Sequence, residues 1–144
     1  MCKPDLLSRL QSATGPSREL DARIWAEHDD RDIVGPQHSA TWRDAYFGRS
    51  RKAPNDECFL WQPGRTADHV PRHTESIDAK LPGEDIIGTS EQNARPGQPI
   101  KWMAIQRRPK GRMPVSAIAH TEAIARRLAC LIAIERAKED SNAK

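Results

Sequence analysis

HTEAIARRLACLIAIERAKE, residues 120–139, is the most regular stretch of the chain. Ile124, Leu128, Leu131, Ile132 and Glu135 fall at i, i+4, i+7, i+8 and i+11. That spacing lays an apolar stripe along one side of a helix and ends it in charge. It predicts a long C-terminal amphipathic helix that anchors the core. Arg126 and Arg127 break the apolar run, which is too short to span a bilayer.

Upstream of this helix the period shortens. RRPKGR (107–112) turns the chain, IKWMAIQ (100–106) alternates as a strand, SEQNARPGQP (90–99) is a polar loop, and DIIGT (85–89) suggests a further strand. TWRDAYF (41–47) and ECFLWQ (57–62) read as two more strands, joined by the basic loop GRSRKAPND (48–56). Helix followed by strands followed by helix predicts an α+β class, with a small, mainly antiparallel sheet of three to five strands packed by helices.

Near the start, DLLSRLQSA (5–13) puts Leu6, Leu7, Leu10 and Ala13 on one face, with Asp5 at the cap position. Residues 17–24, SRELDARI, return in altered form as TESIDAKL at 74–81. Each copy sets a hydroxyl residue, Ser17 or Thr74, four places before an aspartate, with an apolar pair at i, i+4: Leu20 with Ile24, and Ile77 with Leu81. Both therefore read as helix starts, with Asp21 and Asp78 near the positive end of the helix, rather than as a catalytic carboxylate pair. Pro82 and Gly83 would stop the second copy.

The chain has 144 residues, 37% hydrophobic and 30% charged, which fits one α+β domain over 1–144 with a modest core. A loop-rich middle at about 29–72 and a frayed C-terminal tail are expected. MCKPDLLSRL lacks the apolar centre of a signal peptide, so a cytoplasmic site is expected. Cys2, Cys58 and Cys130 are odd in number and widely spaced, neither a disulfide framework nor a metal knuckle. His69 and His73 have ligand-like spacing, but Pro71 between them argues against one helical face. No cofactor and no metal are expected.

LLSRLQSATGPSRELDARIW (6–25) and PRHTESIDAKL (71–81), with the Ala-rich C-terminal helix, resemble small tailed-bacteriophage and prophage proteins of the phage αβα-sandwich type. The resemblance covers 6–27, 71–81 and 116–137, about a third of the chain. It implies phage origin and a layered α+β fold, and it carries over no catalytic residue. Those proteins usually have Tyr where His73 stands, and a longer helix where this chain has LPGED (81–85).

No GxSxG, Walker, Rossmann or HExxH pattern occurs, so the chain is read as a non-enzyme. The candidate binding residues are the cations of two loops, Arg49, Arg51 and Lys52 with Arg107, Arg108, Lys110 and Arg112, and the nearby indoles Trp42 and Trp61. If both loops tip hairpins of one sheet, seven cations share an edge. Cations grip phosphates, and an indole can stack on a base, although burial in the core is the commoner fate of a tryptophan. With the resemblance, these features point to a non-catalytic phage accessory protein in the host cytoplasm. It would bind and neutralise a host component as an anti-defence factor, either inhibiting a host defence complex or holding a nucleotide immune signal as a sponge. A nucleic-acid-binding phage module and a virion or assembly component are the alternatives, and homo-oligomerisation is left open. No membrane partner is expected.

Overall fold

The computed structural model of the chain describes residues 4–92, 95–98 and 100–142. In chain order the elements are α1 (Pro4–Ser12), α2 (Arg18–His28), β1 (Arg31–Gln37), β2 (Ala45–Ser50), β3 (Glu57–Gln62), β4 (Arg65–Thr66), β5 (Ile86–Gln92), β6 (Lys101–Gln106), β7 (Val115–Ala119) and α3 (Glu122–Asn142). The class is α+β and every strand pairing is antiparallel. The strands divide between two sheets, β1-β2-β3-β4 and β5-β6-β7, where the sequence suggests one. The expected single domain of residues 1–144 is internally subdivided: one compact unit comprises Met1–Pro16 and His73–Lys144, the other Ser17–Arg72.

In the first unit α3 lies on the three-stranded sheet and α1 packs against α3 and β7. Ile124, Leu128 and Leu131 are buried as their spacing requires, with Ala123, Ala125, Ala129 and Cys130 between them. Thr121 caps the helix, its hydroxyl accepting from the Ile124 amide at 3.2 Å. β7 alternates strictly: Val115, Ala117 and Ala119 are buried while Ser116 and Ile118 are exposed. Ala104 and Ala117 are cross-strand partners and both buried, and such small side chains let a helix approach a sheet closely. Leu6 and Leu10 of α1 are buried, and Asp5 stands inside the first turn rather than at the cap.

The segment 74–81, predicted as a helix, is a series of turns. Its carbonyls serve other donors. The Arg127 guanidinium, fully buried in α3, donates to the carbonyls of Ser76 at 2.6 Å and Ile77 at 2.9 Å. His73 Nδ1 donates to the Ala79 carbonyl at 2.8 Å. Arg127 also meets Glu84 at 2.6 Å, with both side chains excluded from solvent. Thr74, instead of capping a helix, is buried.

Cys130 is a free thiol in this core, and burial, reinforced by Glu84, pushes it up to about 12 from an ordinary 9.0. Between those values an unfolded chain loses the thiol proton while the folded one keeps it, so the unfolded state binds fewer protons and stability falls as pH rises. The wild type is therefore expected to lose stability faster than Cys130→Ala between pH 9 and 11 in denaturant titrations, by up to about 1.4 kcal/mol per pH unit. Parallel pH profiles of the two proteins would count against this burial. Cys2 lies outside the described residues.

The second unit is a β1-to-β4 meander packed by α2. Ser17 caps α2 as predicted, its hydroxyl accepting from the Leu20 amide at 3.2 Å, and Leu20 and Ile24 are buried. Ala22 and Ala26 of α2 share a core with Leu60, Trp61, Ala67 and Val70. Asp21 is completely buried. Its partner Arg18, at 2.7 Å, also donates to the Val70 carbonyl at 2.9 Å, so this aspartate ties the helix to the end of the unit. The middle of the chain carries four strands, β1 to β4, joined by loops.

The acidic run EHDDRD (27–32) is matched by two arginines. Arg31 bonds Asp29 at 2.6 Å and Asp56 at 2.9 Å, and those bonds, Asp29 first, hold its guanidinium above its ordinary value. Arg51 bonds Asp30 and Asp32, each at 2.9 Å. β1 closes against β2 through Gly35, whose φ of +136° and approach to Ala45 leave no room for a side chain: a Cβ would stand 2.5 Å from the Ala45 oxygen.

Candidate groove of the second unit

The shape of the site originates in one irregularity of strand pairing. Phe47 pairs with Phe59 and the next residue, Tyr46, pairs with Trp61, so Leu60 is an extra residue in β3. A bulge turns successive side chains to the same side, and Leu60 and Trp61 are accordingly both buried with α2. Tyr46 follows Trp61, stacking on it with ring centres 4.3 Å apart and planes 12° apart. Phe47 and Phe59 form a second aromatic group, in which Trp42 stacks on Phe59 at 4.9 Å and meets Phe47 edge-on at 5.6 Å. Trp42 precedes β2 instead of belonging to it, because Asp44 adopts a left-handed φ of 50° that ends the extended run.

A groove of about 730 Å³ opens beside the Tyr46–Trp61 pair. It is bounded by the first residues of α2, Arg18 and Glu19, by the β3–β4 turn with Arg65 and Thr66, and by Asp68 and Arg72. The turn is Gln62-Pro63-Gly64-Arg65, with Gly64 at φ 82°. Proline then glycine at the two central positions suits a tight turn and puts Arg65 opposite Gln62. A second hollow, of about 450 Å³, shares Asp44, Gln62 and Pro63 with the first and adds Arg43. These volumes lie in the range of small-ligand sites.

The sequence-derived candidates are distributed differently. Trp61 lines the groove, but its ring is covered by Tyr46 and by the Arg23 guanidinium 5.2 Å from its centre, so only its edge is offered. Trp42 lies with Phe47 and Phe59 instead and does not line the groove. The two cationic loops do not share a sheet, which removes the premise of one seven-cation edge. Most of their charge is also compensated. Arg49 meets Glu57 at 2.8 Å, Arg51 is held as described, Arg107 meets Asp85 at 2.9 Å, and Arg108 meets Asp140 at 2.5 Å with Arg112 at 3.7 Å from the same carboxylate. Lys52 and Lys110 are exposed. Arg108 is 9% exposed, so reversing its charge would bring two carboxylates together and strain the fold as well as change the surface.

Arg18, Arg43, Tyr46 and Arg65 are site residues that sequence reasoning passes over. The Pro-Gly dipeptide was the one signal that could have located Arg65, through the turn it requires. His69 lies edge-on to Trp25 at 4.7 Å, whereas His73 is buried on Ala79. Among the described residues no group of His, Cys, Asp and Glu is placed to hold a metal ion, and no helix is long and apolar enough to cross a membrane. Compared with family models, with curated proteins and with solved structures, the chain matches none.

Proposed function

We propose that the chain is a non-catalytic phage accessory protein that captures and neutralises a host component in the host cytoplasm, acting against host defence, and that the groove of the second unit is its capture site. The observation that carries this reading is the make-up of the groove: an aromatic wall, Tyr46 on Trp61, facing arginines and carboxylates. An apolar wall with a few convergent polar groups is the general form of a binding site. The anti-defence role itself rests on the resemblance to phage proteins and on the absence of catalytic motifs.

Plaque counts on hosts with and without a defence system test this role. Expression of the protein is expected to restore plaques of a sensitive phage on the defended host and leave the undefended host unchanged. Equal plaque counts on the defended host with and without the protein, across hosts carrying different defences, would refute it.

A further inference from the structure

The arginines of the second unit are closely paired, and the exceptions converge. Arg18, Arg23, Arg31, Arg49 and Arg51 each meet a carboxylate at 2.9 Å or less, and Arg72 is also engaged. Among the described residues Arg43 and Arg65 make no ion pair. Arg65 only rests over the Phe59 ring, 5.2 Å from its centre, a contact that orients the guanidinium without using its N–H donors. These two arginines line the two hollows that share Asp44, Gln62 and Pro63. With the other arginines of the unit engaged, two charged forks remain at one continuous site.

Building on the capture site proposed above, we infer that the groove takes a ligand with two oxyanion groups, one on Arg65 and one on Arg43, joined by an apolar, partly planar body lying against the edges of Tyr46 and Trp61. A guanidinium fork matches the oxygens of a phosphate or carboxylate in pairs. Thr66, which lines the same groove, can add a hydroxyl donor to the anion. Asp68, exposed on the rim and without a hydrogen-bond partner among the described residues, repels a third anion and accepts from a hydroxyl or amine. Two phosphates, planar rings and hydroxyl or amine donors together describe a dinucleotide. Inorganic phosphates supply the anions without the body.

Calorimetric titration of the full chain separates these sources, using pyrophosphate, a mononucleotide monophosphate and a cyclic dinucleotide as probes. The dinucleotide is expected to bind at least tenfold more tightly than either other probe. Arg43→Gln and Arg65→Gln are each expected to weaken it tenfold or more, with unfolding midpoints unchanged because both side chains are exposed. Tyr46→Leu, which keeps the wall apolar and removes the hydroxyl and the ring, is expected to weaken the dinucleotide while leaving pyrophosphate alone. Failure of all three probes to bind, pyrophosphate binding as well as the dinucleotide, or an unchanged affinity in the folded Arg43→Gln/Arg65→Gln double variant would each overturn the inference. If the double variant still restores plaques as well as the wild type, the ligand assignment falls while the anti-defence role stands. If the dinucleotide binds and no defended host is rescued, the reverse holds.

Discussion

Glu84→Gln is expected to destabilise the protein by about 3–5 kcal/mol, the usual cost of removing one partner from a buried ion pair. Arg127 and Glu84 are 2.6 Å apart with neither side chain exposed. Burial pushes the Arg127 guanidinium below its ordinary value, and Glu84 is the main influence that holds it up. The glutamine keeps the shape and removes the charge, so the guanidinium stays enclosed with only neutral acceptors, the glutamine oxygen and the Ser76 and Ile77 carbonyls. A denaturant midpoint within about 0.5 kcal/mol of the wild type, the range of ordinary surface changes, would show that the pair is solvated. The pair itself need not be optimal. Replacing both residues by apolar ones, Arg127→Met with Glu84→Leu, is expected to recover a large part of the loss, because two desolvation penalties disappear together.

Leu128→Asp is expected to abolish folding of the first unit. Leu128 is 3% exposed in the middle of α3, so the variant loses about 2–5 kcal/mol of apolar burial and packing and adds the cost of enclosing a carboxylate without a partner. Together these match or exceed the roughly 5–15 kcal/mol that holds a typical domain folded. Circular dichroism should show the α3 signal lost. A cooperative melt with native helix content would mean that α3 can rotate this position into solvent.

The elements that could be read from the sequence are those whose own residues dictate them. The α3 stripe, the Ser17 cap, and the strands around Phe47, Phe59 and Trp102 follow from period and local hydrogen bonding. β1 could not be read in this way: RDIVGPQ contains Gly35 and Pro36 and has no clean alternation, and it is a strand because β2 pairs with it at a sheet edge, where proline is tolerated. β7 was hidden by composition, since the alanines of VSAIA favour helix as readily as strand, and only burial shows its period of two. TESIDAKL carries the same pattern as SRELDARI yet forms turns. Eight residues before Pro82 make a marginal helix, and Arg127, far away in sequence, takes two of its carbonyls. The site depended on non-local facts of the same kind. Whether an arginine is free is decided by which carboxylate the fold brings to it: the arginines of the two cationic loops meet carboxylates, while Lys52 and Lys110 are exposed.

The division of the chain also fixes an order of synthesis. Ser17–Arg72 is continuous, whereas the first unit draws α1 from before it and everything else from after it. On the ribosome the sheet that carries the groove emerges whole while α3 is still unmade. Domains tend to fold as their sequence becomes available, so the groove can form early, and α1 must wait until α3 has been made to find the helix it packs against.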